Sequence, residues 1–346
     1  MTPKFSVIMP VYNVEDFVAE AIQSVLDQST IDFELIIVND CATDNSLKIC
    51  QAFNDPSIII VNHEVNKGLA AARNTGVRNA KGEYLAFLDS DDCWHKDKLT
   101  AHLKHLDNSP QVGISFARSA FMDFEGNKLD IYQMPQLTNI DTGLLLCRNP
   151  VGNGSAPVIR KCTFDDIAFT SDTYSPGEKC YFDESFRQSE DIECWLRIVA
   201  TTQWQMEGLA MPLTYYRLNR KGLSSNLMKQ FASWEKMIDK ARIFAPNVLQ
   251  KFEKKARAYQ LRYLARQAIR NDNGKEAVKF VNKALFEAPS ILKDETSRTL
   301  ATLAAAYMLF CLPHALYQQC EKLAHNIIGY SQKLKIKRDQ QTLNRS

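Results

Sequence analysis

Tyr84-Leu85-Ala86-Phe87-Leu88-Asp89-Ser90-Asp91-Asp92 passes from five apolar positions directly into three carboxylates. A short apolar run that stops at polar residues has the length of a buried strand. Its carboxylates would therefore stand at the end of a rigid element and point out of it. Clustered carboxylates repel, and a hard divalent ion (Mg²⁺ or Mn²⁺) held by one or two of them with phosphate oxygens relieves the repulsion. The same residues also read as a solvated acidic turn that caps the following helix, so the choice rests on their surroundings.

Those surroundings repeat the pattern. Phe5 to Met9, Glu34 to Val38 and Ile58 to Val61 are further apolar strands, and amphipathic helices are predicted between them at Val14 to Asp27, Asp44 to Phe53 and Leu69 to Ala80. In the first helix Phe17, Val18, Ala21, Ile22, Val25 and Leu26 fall on one face, with Asn13 as its N-cap. Alternating strand and helix implies an α/β fold with a central, mostly parallel sheet flanked by helices. Such sheets bind ligands at the carboxyl ends of their strands. Here those ends read Pro10-Val11-Tyr12-Asn13, Asn39-Asp40-Cys41-Ala42-Thr43-Asp44, residues 62–68, and Asp89-Ser90-Asp91-Asp92. Four polar strand ends describe a hydrophilic crevice with carboxylates suited to a hard cation.

Beyond residue 110 the pattern loosens, with strands expected at Val112 to Phe116, Ala156 to Ile159 and Leu213 to Arg217 and a hairpin turn at Glu125-Gly126-Asn127. A helix over Glu190 to Thr201 places Ile192, Trp195, Leu196 and Val199 at helical spacing, with Glu190 and Asp191 at its positive end. Residues 226–290 read as wholly helical, and Lys275 to Pro289 resembles half of a helical hairpin repeat with no second copy. Leu300 to Leu312 is apolar yet shorter than the roughly 20 residues a membrane-spanning helix needs. It reads as a packed or interfacial helix, and the basic tail from Lys322 onward is expected to fray.

Of the 346 residues, 45% are hydrophobic and 24% charged, which fits a folded globular protein. Nine cysteines, none in a Cys-x-x-Cys pair, fit a reducing compartment, and no secretory leader is read at the start, so a cytoplasmic location is expected. The net charge of +2 hides an asymmetry: residues 1–225 carry 20 Lys/Arg against 30 Asp/Glu, and residues 226–346 carry 22 against 10. The basic part suggests a different task, with an anionic membrane surface or a packed partner as its counterpart. No motif supports nucleic-acid binding. A nicotinamide oxidoreductase and a sugar-1-phosphate nucleotidyltransferase both call for a Gly-rich loop after the first strand, where this chain has Pro-Val-Tyr-Asn.

The order Pro10-Val11-Tyr12-Asn13, Val38-Asn39-Asp40 with Thr43-Asp44-Asn45-Ser46, Asn66-Lys67-Gly68-Leu69-Ala70-Ala71-Ala72-Arg73-Asn74, then Leu88-Asp89-Ser90-Asp91-Asp92 resembles the family 2 glycosyltransferases. Glu190-Asp191 with Trp195-Leu196-Arg197 resembles that family's acidic catalytic motif. The resemblance covers about residues 4–225. It implies a GT-A fold over 1–225, with a nucleotide-binding half at 1–110 and an acceptor half at 111–225, followed by a basic helical region at 226–346. It implies inverting transfer from a nucleotide sugar, a uridine one by expectation, to a glycan or lipid-linked acceptor in polysaccharide or lipopolysaccharide synthesis.

By the same resemblance Pro10, Tyr12 and Glu15 border the nucleotide, Asp40 bonds the base, and Arg73, Asp89 and Ser90 hold the sugar or diphosphate. Asp91 binds the metal with Asp92 as a second ligand, Asp191 is the general base, and Glu190 orients that base or the acceptor. Each has a plain alternative: Asp40 as a turn residue, Arg73 as a surface cation, Glu190 and Asp191 as favourable acids at a helix start. After Tyr215-Tyr216-Arg217, where many relatives carry a His, this chain has Leu218-Asn219. Arg217, Arg220 and Lys221 then read either as diphosphate ligands or as a solvated basic loop. Asn153-Gly154-Ser155 reads as acceptor side or turn. Tyr181, Phe182, Phe186, Trp195 and Trp204 read as core or as a sugar-stacking platform. The competing class is a catalytically silent scaffold that binds a sugar nucleotide, with a membrane- or partner-binding tail.

Overall fold

The structure is a computed structural model that describes residues 2–30, 32–171, 173, 175–218 and 226–343. The chain forms two compact units: one of residues 1–140, 150–218 and 332–346, the other of residues 141–149 and 219–331.

The first unit opens as the hydrophobic pattern requires. Strands β1 (Phe5–Val11), β2 (Phe33–Asn39), β3 (Ile58–Asn62) and β4 (Tyr84–Phe87) alternate with helices α1 (Val18–Leu26), α2 (Ser46–Ala52) and α3 (Leu69–Asn79). β1 pairs in parallel with both β2 and β4, and β3 extends β2. Residues along a strand alternate between faces. Accordingly Phe5, Val7, Met9 and Val11 join a buried cluster with Val18, Ala21, Ile22 and Val25 of α1, whereas Ile8 points at α3. Only a glycine fits at position 76 of that helix, since a β-carbon there would lie 2.3 Å from Ile8.

After β4 come β5 (Cys93–Trp94), α4 (Lys98–Asn108), β6 (Val112–Met122) and β7 (Lys128–Tyr132), the last two an antiparallel hairpin with Gly126 at φ +89° in the expected turn. Helix α5 (Thr142–Cys147) belongs to the second unit, and the chain then returns with β8 (Val158–Arg160), α6 (Lys161–Asp165), the small hairpin β9 (Phe169–Ser171) and β10 (Ser175–Cys180), α7 (Glu190–Thr201) and β11 (Gln205–Arg217). Among the described residues the main sheet runs β3-β2-β1-β4-β8-β6-β11-β5, with β7 beside β6. It is parallel over its first four strands and mixed beyond, where β8 runs antiparallel between β4 and β6 while β6 and β11 are parallel.

The second unit is wholly helical among its described residues. Besides α5 it holds α8 (Leu227–Phe244), α9 (Pro246–Arg270), α10 (Gly274–Glu287), α11 (Ile291–Asp294), α12 (Thr296–Cys311) and the first part of α13 (His314–Leu343). Its core joins Leu261, Leu264, Ala265 and Ala268 of α9 to Phe280, Val281 and Ala284 of α10. Among the described residues no helix is long and apolar enough to cross a membrane.

Two expectations fail. Asn13 does not cap α1, which begins only at Val18; its side chain instead accepts from Thr43 of the next loop, and its backbone is left-handed at φ +51°. Nor does the basic tail fray over its described residues, since α13 stays helical to Leu343. Its last turns belong to the first unit, where Asp339 pairs with buried Arg118 and Gln332 bonds the backbone of Tyr132.

Candidate active site

The carboxyl ends of β1 and β2 are tied to each other before any ligand is considered. Asn13 Oδ1 accepts from Thr43 N at 2.8 Å, Val14 N donates to Ser46 Oγ at 2.8 Å, and Glu15 N donates to Asp44 Oδ2 at 3.0 Å. The Glu15 carboxylate answers by accepting from Asn45 N at 2.9 Å. Glu15 is thus a tie between loops. Pro10 is buried within β1, and Tyr12 just beyond it is 47% exposed. Asp40 is buried at the end of β2, where its oxygens accept from Lys67 N and Gly68 N at 2.8 Å each and Oδ1 meets His63 Nδ1 at 2.8 Å. Although burial opposes its charge, these bonds hold its pKa below the usual carboxylate range.

The acidic turn is supported from behind by residues distant in sequence. Asp89 N donates to Ser155 Oγ at 2.9 Å, and that hydroxyl donates to Asp92 Oδ2 at 2.6 Å. Asp92 also accepts from Arg217 N at 2.8 Å through Oδ1, and it is 1% exposed. Burial, then Asp91 and Asp89, push its carboxyl well above the usual range. Asp92, expected as a metal ligand, is placed behind the turn. Ser90 is likewise buried, while Asp89 and Asp91 are partly exposed. Arg217 is also buried. Its Nε donates to Asp91 O at 2.8 Å and its Nη1 to Phe124 O at 2.7 Å, so it braces the turn from within rather than projecting from a solvated loop. Arg220 and Lys221, read with it, lie outside the described residues.

Arg73 joins the strand end to α7. It is 2% exposed and donates through Nη2 to Asp89 Oδ1 at 2.7 Å and through Nη1 to Glu190 Oε1 at 2.5 Å, over the ring of Phe182. Its Nε has no hydrogen-bond partner among the described residues. Burial works against its charge, but Asp89, Glu190 and Asp191 prevail and raise its pKa. Glu190 is pushed up to about 7, first by burial and then by Asp191, with Arg73 opposing. Burial likewise raises Asp191, whose Oδ1 accepts from Ile192 N at 2.8 Å. Both acids open α7 directly after Ser189, which is held left-handed at φ +65°.

Three supports carried little signal in the sequence. Asn74, beside Arg73, bonds the backbone of Tyr181 and Phe182 and so fixes α3 to the segment that leads into α7. Arg187 lies over Gly68 so closely that a β-carbon there would stand 2.1 Å from it. Ser155, read as turn or acceptor side, holds the acidic turn. Tyr181, Phe182, Phe186 and Trp195 are core, and Trp204 is partly exposed with Nε1 bonded to Asp166 at 2.7 Å.

Among the described residues no three His, Cys, Asp or Glu side chains gather as a self-sufficient metal cage. The donor set still fits Mg²⁺ or Mn²⁺ delivered with a diphosphate, which needs only one or two protein carboxylates. Asp91 and Asp89 are partly exposed at the rim and would be the carboxylates to hold the ion, whereas Asp92 is bonded to Ser155 and Arg217.

The fold is that of S. aureus TarS 1-349, solved with UDP-GlcNAc, at TM-score 0.54 and 18% identity over 88% of this chain and 89% of that one. A mannosyltransferase from Pyrobaculum calidifontis, solved with GDP-Man and Mn²⁺, gives TM-score 0.54 and 16% identity over 90% and 88%. These likenesses show a fold of the GT-A type. The chain belongs to glycosyl transferase family 2: residues 6–166 match that family, and a Bacillus subtilis protein named for teichuronic acid biosynthesis, TuaG, is 34% identical across 66% of this chain and 84% of its own length. Another relative, the Escherichia coli UDP-Glc:alpha-D-GlcNAc-diphosphoundecaprenol beta-1,3-glucosyltransferase WfgD, is 29% identical over 68% and 85%.

Proposed function

We propose that this glycosyltransferase moves a sugar, with inversion, from a uridine diphosphate donor to a hydroxyl of a glycan or lipid-linked acceptor in the synthesis of a surface polysaccharide or lipopolysaccharide. The observation that carries the reading is the bridge from Asp89 through Arg73 to Glu190, with Asp191 next in sequence. It holds a carboxylate of the acidic turn and one at the start of α7 together, which supports a donor side and an acceptor side on one frame. Relatives named for teichuronic acid synthesis and for transfer to a diphosphoundecaprenol-linked sugar support the substrate class.

In this reading Tyr12 lies against the base, and Asp40 accepts the N3–H of the pyrimidine while ordering the Lys67-Gly68 turn. Pro10 and Glu15 shape the same wall. A divalent cation on Asp91 and Asp89 neutralises the departing diphosphate when bound. Asp191 takes the proton of the acceptor hydroxyl as its oxygen bonds to the anomeric carbon and the bond to the diphosphate oxygen breaks. Arg73 keeps Asp89 and Glu190 in place, and Glu190 orients the acceptor.

A screen of UDP-, GDP- and dTDP-sugars with Mg²⁺ or Mn²⁺ tests this. Metal-dependent UDP-sugar turnover abolished by Asp91→Ala is expected, and binding of no nucleotide sugar would refute the reading. Asp191→Asn should keep donor binding and lose transfer; equal loss of both contradicts its role as base. Retained donor binding with no transfer to any acceptor would favour the silent scaffold. In this reading the enzyme works in the cytoplasm, drawn to the anionic inner face of the membrane by the basic 226–346 region, and the 22 Lys/Arg against 10 Asp/Glu of that region support the reading. Release of the protein from membrane fractions by salt checks that location.

A further inference from the structure

Helix α13 presents to solvent a row of apolar side chains that the folding of a single chain leaves uncovered. Leu316, Leu323, Ile327, Tyr330 and Leu334 are 48–69% exposed, and Cys320 is exposed among them. Their spacings alternate between four residues and three, so the six fall in one seam that repeats every three and a half residues. None of the residues that hold α13 to the rest of the chain lies in that seam. Tyr317 packs in the helical core, Gln332 bonds the backbone of Tyr132, Ile336 is buried and Asp339 pairs with Arg118.

Two apolar positions in every seven is the pattern of a coiled-coil seam. An amphipathic helix lying in a membrane surface buries a broader face edged by Lys and Arg. Here the positions that edge the seam as far as residue 331 are Gln319, Ala324, Asn326 and Ser331, none of them charged. Two copies can therefore meet there without like charges in contact. The six side chains expose roughly 700 Å² per chain, close to the about 800 Å² that each partner gives to a specific interface of standard size. Lys333, Lys335, Lys337 and Arg338 gather at one end, whereas residues 312–321 hold no Lys or Arg. Two helices running the same way would set these basic ends against each other. Running opposite ways, each basic end lies beside an end without such charges, and the helix dipoles oppose. We propose that α13 is a self-association surface on which a second copy of this chain lays the same seam antiparallel, so that Leu316 meets Leu334, Cys320 meets Tyr330 and Leu323 meets Ile327. The surface does not depend on the donor assignment.

Sedimentation velocity on the full chain tests this. At about 50 µM the native chain should sediment as a dimer, and Ile327→Glu, which puts a charge into the seam of each copy, should raise the dissociation constant about a hundredfold. Because Ile327 is exposed in the single chain, the variant should keep the helix content and the melting curve of the dilute native chain. Tyr330→Cys, oxidised with diamide, should give a covalent dimer that Cys320→Ser in the same chain removes, since the antiparallel register is what brings positions 320 and 330 together. A native chain that stays monomeric, a dimer indifferent to Ile327→Glu, or a native dimer that oxidises through Cys320 of both copies overturns the proposal. So does a monomer whose binding to phosphatidylglycerol vesicles is lost in Ile327→Glu, an outcome that assigns the seam to a membrane.

Discussion

Gly154 shows how tightly single residues are constrained at the site: a β-carbon there would stand 2.2 Å from Arg73 Nη2 and 2.6 Å from Asp89 Oδ2. Gly154→Ala should therefore lower kcat/KM by about a hundredfold with little change in Tm, because a displacement of about 1 Å in a positioned group is enough. Steady-state kinetics beside a melting curve checks the pair of effects. Glu190 gives a second prediction. Two adjacent acids titrate together, and the pKa of Glu190 is raised to about 7. Activity should therefore rise with pH along an acid limb near neutrality. Glu190→Gln removes one negative charge beside Asp191, lowers the pKa of that base and moves the limb to lower pH; an unmoved limb in a kcat/KM–pH profile would count against the coupling. Much of this residue set could be read from the sequence, because polar residues directly after apolar strands mark a crevice. What could not be read is the commitment of each group. Arg73 and Glu190 are 117 positions apart, and Asp92 turns inward onto Ser155 and Arg217, 63 and 125 positions away. Spacing along a chain holds no information about such partners.

At the scale of elements, α4 reaches into the sheet through a buried lysine. Lys98 Nζ donates to Ala156 O at 2.8 Å and to Thr214 Oγ1 at 3.3 Å, and Thr214 Oγ1 in turn donates to Ser155 O at 3.3 Å. The helix thus supports the loop that supports the acidic turn. Burial lowers the pKa of Lys98 from 10.5 to about 7. Between those two values the unfolded chain binds the extra proton and the folded chain does not, so stability rises with pH across that interval. Lys98→Met should flatten the rise, as read by urea unfolding at a series of pH values. The first four strands and three helices were legible to within a few positions because each carries its own periodicity, whereas the two-residue β5 is too short to carry one. α1 begins later than its apolar face suggests because the polar residues before it are used to join two loops. β11 is longer than Leu213 to Arg217 because Gln205 to Pro212, which are not consistently apolar, are held extended by parallel pairing with β6. Pairing between distant strands overrides local pattern.

For the whole molecule, composition foretold a basic helical region but not that the end of its last helix would belong to the other unit. Lys and Gln at positions 332–343 look like a solvated tail, and nothing local says that Asp339 will meet Arg118, 221 positions earlier. Arg118 is 2% exposed, so removing its partner leaves a buried guanidinium short of one charged bond. Asp339→Asn should destabilise the first unit by about 1–3 kcal/mol, measured by denaturant unfolding with UDP binding as the probe of that unit. The same pairing has a consequence for biosynthesis. Domains ordinarily fold in the order in which they are made, yet the sheet that carries the site includes a charge whose counterion is encoded more than two hundred codons later. Until residue 339 has been translated and released, the nascent sheet holds Arg118 without that partner. The last helix thereby acts as a completion check: a chain cut short after residue 331 keeps the carboxylates of the candidate site but leaves buried Arg118 without its counterion, and should be the form that proteases and chaperones single out.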